Sequence, residues 1–419
     1  MTILIAGGGI AGLSLGLTLH QIGVPFRIYE AVREIKPLGV GINLQPNAVR
    51  ELLDLGLGEE LDEIGVKTRQ YGFYSKLGKT IWEEPRGTWA GYAWPQYSVH
   101  RGHFQMMLYR ALLDRAGPDC VVTGARATGF EDTGDGATLL LEDGRRIEGS
   151  LLVAADGIHS AIRAQMYPDE GEPIWNGRVL WDPTTRAPAY FGGAAMVMIG
   201  HDDLRLVAYP ISDPDPEGYA TINWIAEKRF PLDAAWKKED WNRAADINDF
   251  LPDFEDWRFD WIDVPALIRG AEVVYEYPMV DRDPLPRWTH GAVTLMGDAA
   301  HPTYPVGSNG ASQAIIDARV IGAKLLQRGV APGALAAYEA DIRPVTTAVG
   351  RANRAGGGPD GVLQQVEDLC GGDFEDIEQV IPRADLAAHA EKYKAVAGFS
   401  IAELNARPRT IPEGARIRV

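Results

Sequence analysis

The sequence predicts an α/β protein: a doubly wound, largely parallel domain interrupted by an inserted antiparallel β-sheet domain and followed by a C-terminal helical segment. Three observations carry this. The apolar run Ile3–Ala6 enters the turn Gly7-Gly8-Gly9-Ile10-Ala11-Gly12, the run Leu151–Ala155 ends in Asp156-Gly157, and the run Val293–Met296 ends in Gly297-Asp298-Ala299-Ala300-His301-Pro302. Short continuous apolar runs suit strands covered on both faces of a parallel sheet. The loops leaving the carboxyl ends of such strands are where open α/β sheets bind ligands, so the domain is Rossmann-like.

After Ile3–Ala6 the residues Leu13, Leu15, Leu17, Leu19 and Ile22 describe a buried helix that Gly23 stops, and Val24–Glu30 is the next strand. Residues 1–70 are therefore the first part of the cofactor domain. Residues 71–99, with Tyr71, Phe73, Tyr74, Ile81, Trp82, Trp89, Tyr92, Trp94 and Tyr97 spread among turn residues, read as strands and loops of the substrate domain. Residues 100–174 return to the first domain and contain a hairpin turning at Asp143-Gly144. Alternation through Met196–Ile199, Leu204–Tyr209 and Ala220–Ile225 assigns 175–275 to the inserted sheet. Residues 276–355 complete the first domain with a helix over Ala311–Gln327, and Gly356-Gly357-Gly358-Pro359 opens a helical segment and tail over 356–419. The tail from Arg407 is equally compatible with packing on its own body and with reaching a neighbour.

The chain has 419 residues, 41 Lys and Arg against 58 Asp and Glu, and a net charge of −17, which opposes a nucleic-acid partner. Two cysteines and no Cys-x-x-Cys pair exclude a disulfide framework and fit a reducing cytoplasm. No apolar run approaches the roughly 20 residues of a membrane span, and the eight histidines form no metal set.

The three loops ask for one ligand. Gly7, Gly9 and Gly12 supply a tight turn, close approach to a pyrophosphate and close helix packing, with the helix N-terminus behind the anion. Glu30, 18 residues after Gly12, is placed to accept both ribose hydroxyls and repels a 2′-phosphate. Asp156-Gly157 reads equally as an ordinary turn or as part of the site. Asp298 suits a ribityl hydroxyl, and Gly307, Asn309, Gly310 and Ala311 bring backbone N–H groups and a helix dipole to a flavin's N1 and C2=O edge. His301 is expected to be a packed, hydrogen-bonded ring. Together these read as one FAD site.

Through these three motifs the sequence resembles the class A flavoprotein monooxygenases, the para-hydroxybenzoate hydroxylase-like family, over about residues 1–355. Within it the likeness is greatest to the phenazine-1-carboxylate type, through Pro37-Leu38-Gly39-Val40-Gly41-Ile42-Asn43, Pro95–Gly102, Leu206–Ser212 and Tyr277–Pro284. The resemblance implies that Gly41 lies against the cofactor and that Arg101 and Gln105 contact its phosphates or ribityl chain. It places Tyr304, Pro305 and Tyr209 beside the flavin ring, and Arg205, Asn223 and Trp224 over a small aromatic substrate. NADPH or NADH, binding transiently, and O2 complete the chemistry, hydroxylation through a flavin C4a-hydroperoxide by a monomer or homodimer. A flavin-dependent halogenase and an oxygen-independent reductase share the motifs and stand as alternatives. One departure matters: family members often carry Trp-Arg-Gly where this chain has Trp181-Asp182-Pro183, so a neutral or cationic ring is as plausible a substrate as a carboxylate.

Overall fold

The first strand ends on Ala6, and its neighbours fix where the ligand loops emerge. In a computed structural model describing residues 2–233, 243–356 and 358–417, Ile3–Ala6 lies between Phe26–Tyr29 and Leu151–Ala154, both parallel to it. The six-stranded sheet runs Thr289–His290, Val293–Leu295, Leu151–Ala154, Ile3–Ala6, Phe26–Tyr29, Val121–Val122, and only its first pair is antiparallel. Ala6 stands opposite Ala154 and Tyr29, and Ala154 opposite Leu295. Four adjacent strands thus end at one edge.

Helix Ile10–Gln21 is apolar all round because it is buried all round: Gly12 through Leu19 are without exception buried, between the sheet and helices Arg101–Ala116 and Gly310–Arg328. Gly23, at φ +76°, ends that turn as expected. The hairpin around Asp143-Gly144 forms between Ala137–Leu141 and Arg146–Gly149, with Ala127–Asp132 as a third strand.

The inserted domain is a nine-stranded, almost entirely antiparallel sheet whose centre is Ile174–Asp182, Tyr219–Arg229, Leu204–Pro210 and Ala195–Gly200. Positions 234–242 of the predicted sheet domain, and Gly357, lie outside the described residues. Two boundaries differ from expectation. Tyr97–His100 leaves the 71–99 segment to pair with Gly41–Leu44 and Gly65–Lys67, because it runs directly into helix Arg101–Ala116 of the first domain. Tyr275–Asp281 extends the inserted sheet beyond residue 275, pairing with Ile174–Asp182.

Strand alternation gives this sheet two cores. Leu206, Ala208, Trp181 and Trp224 pack outward against Phe250, Phe254 and Leu267. Val207, Tyr209, Tyr71, Phe73 and Met196 face the other way, against Val362, Val366 and Leu386 of the C-terminal helices. Those helices are Gly361–Cys370, Arg383–Val396 and Ile401–Ala406. The tail packs on its own body: Ile417 N–H donates to the Ile22 carbonyl at 2.9 Å, Thr410 Oγ1 to Glu51 at 2.6 Å, and Ile411 is buried.

Candidate active site

At the shared carboxyl edge the three motifs touch. A Cβ on Gly7, which holds φ +103°, would collide with the Ala155 carbonyl and approach Asp156 to 3.1 Å. One on Gly297, at φ +57°, would stand 3.1 Å from the Ala11 methyl, and one on Gly12 would run into the Gly7 carbonyl. Glycine at 7 and 12 is therefore a packing requirement of the turn itself. Gly9 differs: among the described residues nothing lies within 4 Å of where its Cβ would be, and as N-cap of helix Ile10–Gln21 it leaves the terminus uncapped by any of their side chains. The first-turn N–H groups around half-buried Ile10 and Ala11 stay available to an anion.

Glu30 follows Tyr29 at the same edge. Its Oε2 accepts the Gly8 N–H at 2.6 Å and its Oε1 the Val32 N–H at 2.8 Å. Gln105 donates to the Gly8 carbonyl at 3.0 Å, so its amide ties helix Arg101–Ala116 to the turn. Arg101, exposed at the start of that helix, lies over Gly39, and its charge reaches Asp298 and Tyr277.

Asp156 Oδ2 accepts the Ala161 N–H at 3.0 Å, while its buried Oδ1 has no hydrogen-bond partner among the described residues. Burial raises its carboxyl above the usual range. Gly157, at φ +82°, completes the turn. Asp298 is open to solvent yet hemmed in by protein. That desolvation raises its carboxyl, and His301 and Arg101 pull against it.

Sequence reasoning missed Asp317. Fully buried, it accepts the Gly297 N–H at 2.8 Å and pairs with His301 Nε2 at 2.6 Å. Burial lowers the His301 pKa, but Asp317 outweighs it and leaves the ring raised. His301 is thus the packed, hydrogen-bonded ring expected, tilted against Trp288 at 5.2 Å.

The seam between the domains holds a second constellation. Gly41 N–H donates to Asn223 Oδ1 at 2.5 Å, and a Cβ there would come within 2.7 Å of both Asn223 and Tyr209. Tyr209 and Asn223 are cross-strand partners, and Asn223 Nδ2 donates to Asp182 Oδ1 at 3.2 Å. Burial holds the Asp182 carboxyl well above its ordinary range and raises the Tyr209 phenol. Tyr304 packs with Leu180, Met279 and Val306, next to exposed Pro305.

Two expectations give way. Trp224 is on the opposite face of its strand from Asn223: its indole N–H donates to Thr185 at 3.0 Å and its ring packs in the outward core, because adjacent strand residues point apart. Arg205 is 2% exposed and bonded to Glu227 and Asp360, so the guanidinium expected over the substrate is a buried clamp. Asn309, expected to offer its backbone N–H, turns its side-chain amide to the Tyr393 hydroxyl at 3.1 Å. Gly307 has φ +79°, and helix Gly310–Arg328 starts at Gly310 and Ala311 with no side-chain cap among the described residues.

The residues present fit FAD: a helix start uncapped and a buried carboxylate oxygen unpartnered among the described residues, with a carboxylate at the end of the second strand, share one edge. Among the described residues no group of three or more His, Cys, Asp or Glu can hold a metal, and no helix is long and apolar enough to cross a membrane.

Comparison with known proteins agrees with this geometry. Residues 1–229 and 278–353 match the FAD binding domain family, and the chain belongs to it. It is an FAD-dependent monooxygenase of the aromatic hydroxylase class. It is 43% identical over 361 residues to the phenazine 1,6-dicarboxylic acid hydroxylase of Lysobacter antibioticus, covering 84% of this chain and 89% of the relative. It is 32% identical to a 3-amino-4-hydroxybenzoate 2-monooxygenase of Streptomyces platensis, with 87% and 91% covered. A salicylate hydroxylase substrate complex superposes with a TM-score of 0.75 at 21% identity over 98% of both chains, which shows the shared fold.

Proposed function

We propose that this monooxygenase hydroxylates a neutral or cationic heteroaromatic ring that presents an N–H, O–H or positive charge to Asp182. The supporting observation is the Gly41–Asn223–Asp182 chain of hydrogen bonds at the seam, in which Asp182 receives one bond from Asn223 and carries a carboxyl burdened by burial. A donor or cation relieves that burden, whereas a carboxylate at the same point adds like-charge repulsion in a desolvated place. The Lysobacter relative is named for a dicarboxylic acid, and Asp182 is where this chain would part from such a substrate.

When bound, FAD supplies oxygen activation, with NADPH or NADH as transient reductant. Glu30 takes the ribose hydroxyls. The helix starting at Ile10, together with Arg101, offsets the pyrophosphate charge, and Asp156 and Asp298 hold the polar linker. Tyr209 and Asn223 bound the substrate side, and Tyr304 and Pro305 the cofactor side. These groups orient the ring and exclude water rather than transfer protons. The same reading has the enzyme in the cytoplasm, where Cys120 and Cys370 stay free, as a monomer or homodimer.

The test is a panel of aromatic compounds scored by stimulated NAD(P)H oxidation, oxygen incorporation and released peroxide. Coupled hydroxylation is expected for rings with donor or cationic groups, and Asp182→Asn should narrow the difference between them and their carboxylated counterparts. Equal coupling of both kinds by the unaltered enzyme would overturn the assignment of substrate class.

A further inference from the structure

The stretch from Pro305 to Asn309 contains one residue, Ser308, held in a conformation it does not favour. Ser308 has φ +54° and Gly307 φ +79°, and Asn309 gives its side chain to no cap of the following helix. The restraint comes from the C-terminal helix Arg383–Val396. The buried Tyr393 hydroxyl donates to the Val306 carbonyl at 3.1 Å and accepts from Asn309 Nδ2 at 3.1 Å, so one phenol bridges both ends of the turn. Its ring fills the space above Gly307, where a Cβ would collide with it. From the other side Gln45 donates to the Gly307 carbonyl at 3.5 Å, and its own N–H goes to Ser312 Oγ at 3.0 Å.

The helix that carries Tyr393 is itself anchored. Lys394 bonds Glu84 of the inserted sheet at 2.9 Å, and Tyr92 donates to the Phe399 carbonyl, just beyond the helix, at 2.6 Å. Between this helix and the inserted sheet, Tyr71, Phe73, Trp82 and Phe399 wall a cavity that reaches Gly307 and Ser308. The C-terminal segment therefore touches the loop directly, at the residues on either side of strained Ser308.

We propose that Tyr393 is a positioning residue for the flavin edge: it fixes the 305–309 turn so that the N–H groups entering helix Gly310–Arg328 point at the pyrimidine end of the cofactor. This rests on the placement of that edge at residues 307–311. Donors fixed in advance stabilise negative charge on the reduced ring without reorganising, whereas donors on a relaxed turn must first be ordered. The C-terminal segment, far from the three FAD motifs in sequence, thereby sets a cofactor property.

The test uses the FAD-loaded full chain, reading the flavin midpoint potential and the FAD dissociation constant by fluorescence. Tyr393→Phe keeps the ring and removes both bonds. It should lower the potential and weaken FAD binding about two- to tenfold, about half the worth of the two hydrogen bonds removed from the turn, since the turn and not the cofactor loses them. Tyr92→Phe, which loosens the same segment without touching the turn, should leave both at their unaltered values. Gly307→Ala, which displaces the phenol from beneath, should move both in the direction of Tyr393→Phe. A Tyr393→Phe protein indistinguishable from Tyr92→Phe overturns the proposal. If Gly307→Ala alone shifts the potential, the flavin edge is where it was placed and Tyr393 is only an anchor. If neither variant shifts it, the placement itself fails and the proposal with it.

Discussion

Replacing Arg205 by Met separates a buried clamp from a substrate contact. The guanidinium bonds Glu227 through Nε at 3.1 Å and Nη2 at 2.5 Å, and Asp360 through Nη1, while Glu227 is 7% and Asp360 5% exposed. Arg205 is held above its ordinary pKa because these two acids outweigh its burial. Methionine fills much the same volume but leaves two carboxylates without their cation. Breaking a buried pair from one side costs about 3–5 kcal/mol, most of it the penalty on the stranded charge. At about 2 cal/mol/K per residue of unfolding entropy, a chain of this length melts about 1 °C lower per kcal/mol, so a drop of about 3–6 °C is expected in a thermal scan. Because Asp360 begins helix Gly361–Cys370, proteolysis between the sheet and this helix should accelerate as well. The triple variant Arg205→Met, Glu227→Gln, Asp360→Asn, which removes all three charges, should recover most of the loss. An Arg205→Met protein that melts normally, resists protease and loses only its response to aromatic substrates would refute this reasoning.

Further outcomes are expected elsewhere. Glu30→Gln leaves one amide oxygen for the two N–H groups of Gly8 and Val32, so FAD affinity should fall about tenfold by fluorescence titration; an unchanged affinity would remove Glu30 from the site. The raised pKa of His301 means that its contribution to stability is complete below about pH 6.5, the unfolded value, and is lost as pH rises through the folded one. The melting-temperature gap between the protein and His301→Asn should therefore shrink from pH 6 to pH 9, and a constant gap would show that His301 does not titrate against Asp317. Asp182 has the opposite effect on stability: its raised carboxyl makes folding progressively costlier as pH climbs from about 4 toward the folded pKa. Asp182→Asn should accordingly melt higher than the unaltered protein at pH 7, and a lower melting point would show that the ionised carboxylate has a stabilising partner.

The convergence of Gly7, Glu30, Asp156 and Asp298 was legible in the residues because each follows a short apolar strand, and parallel strands deliver such loops to the same edge. The helix Ala311–Gln327 was legible within a residue at each end, since it appears as Gly310–Arg328 with Gly329 behind it. Side-chain destinations across the inserted sheet were less so. Asn223 and Trp224 are neighbours, and alternation dictates that they part, but which one meets Gly41 depends on pairing with Leu204–Pro210 and on the helices each face meets.

By itself the sequence determined what local pattern can encode: strand, turn and helix order, the glycines a tight phosphate turn requires, and the acids at the ends of strands. Only the tertiary structure decided the partners of long side chains. Arg205 finds Asp360 across 155 residues, Lys394 finds Glu84 across 310, and Tyr393 finds Val306 across 87. A buried charge or phenol is stable only where its counterpart arrives in space, and no periodicity in the chain records which distant segment will bring it.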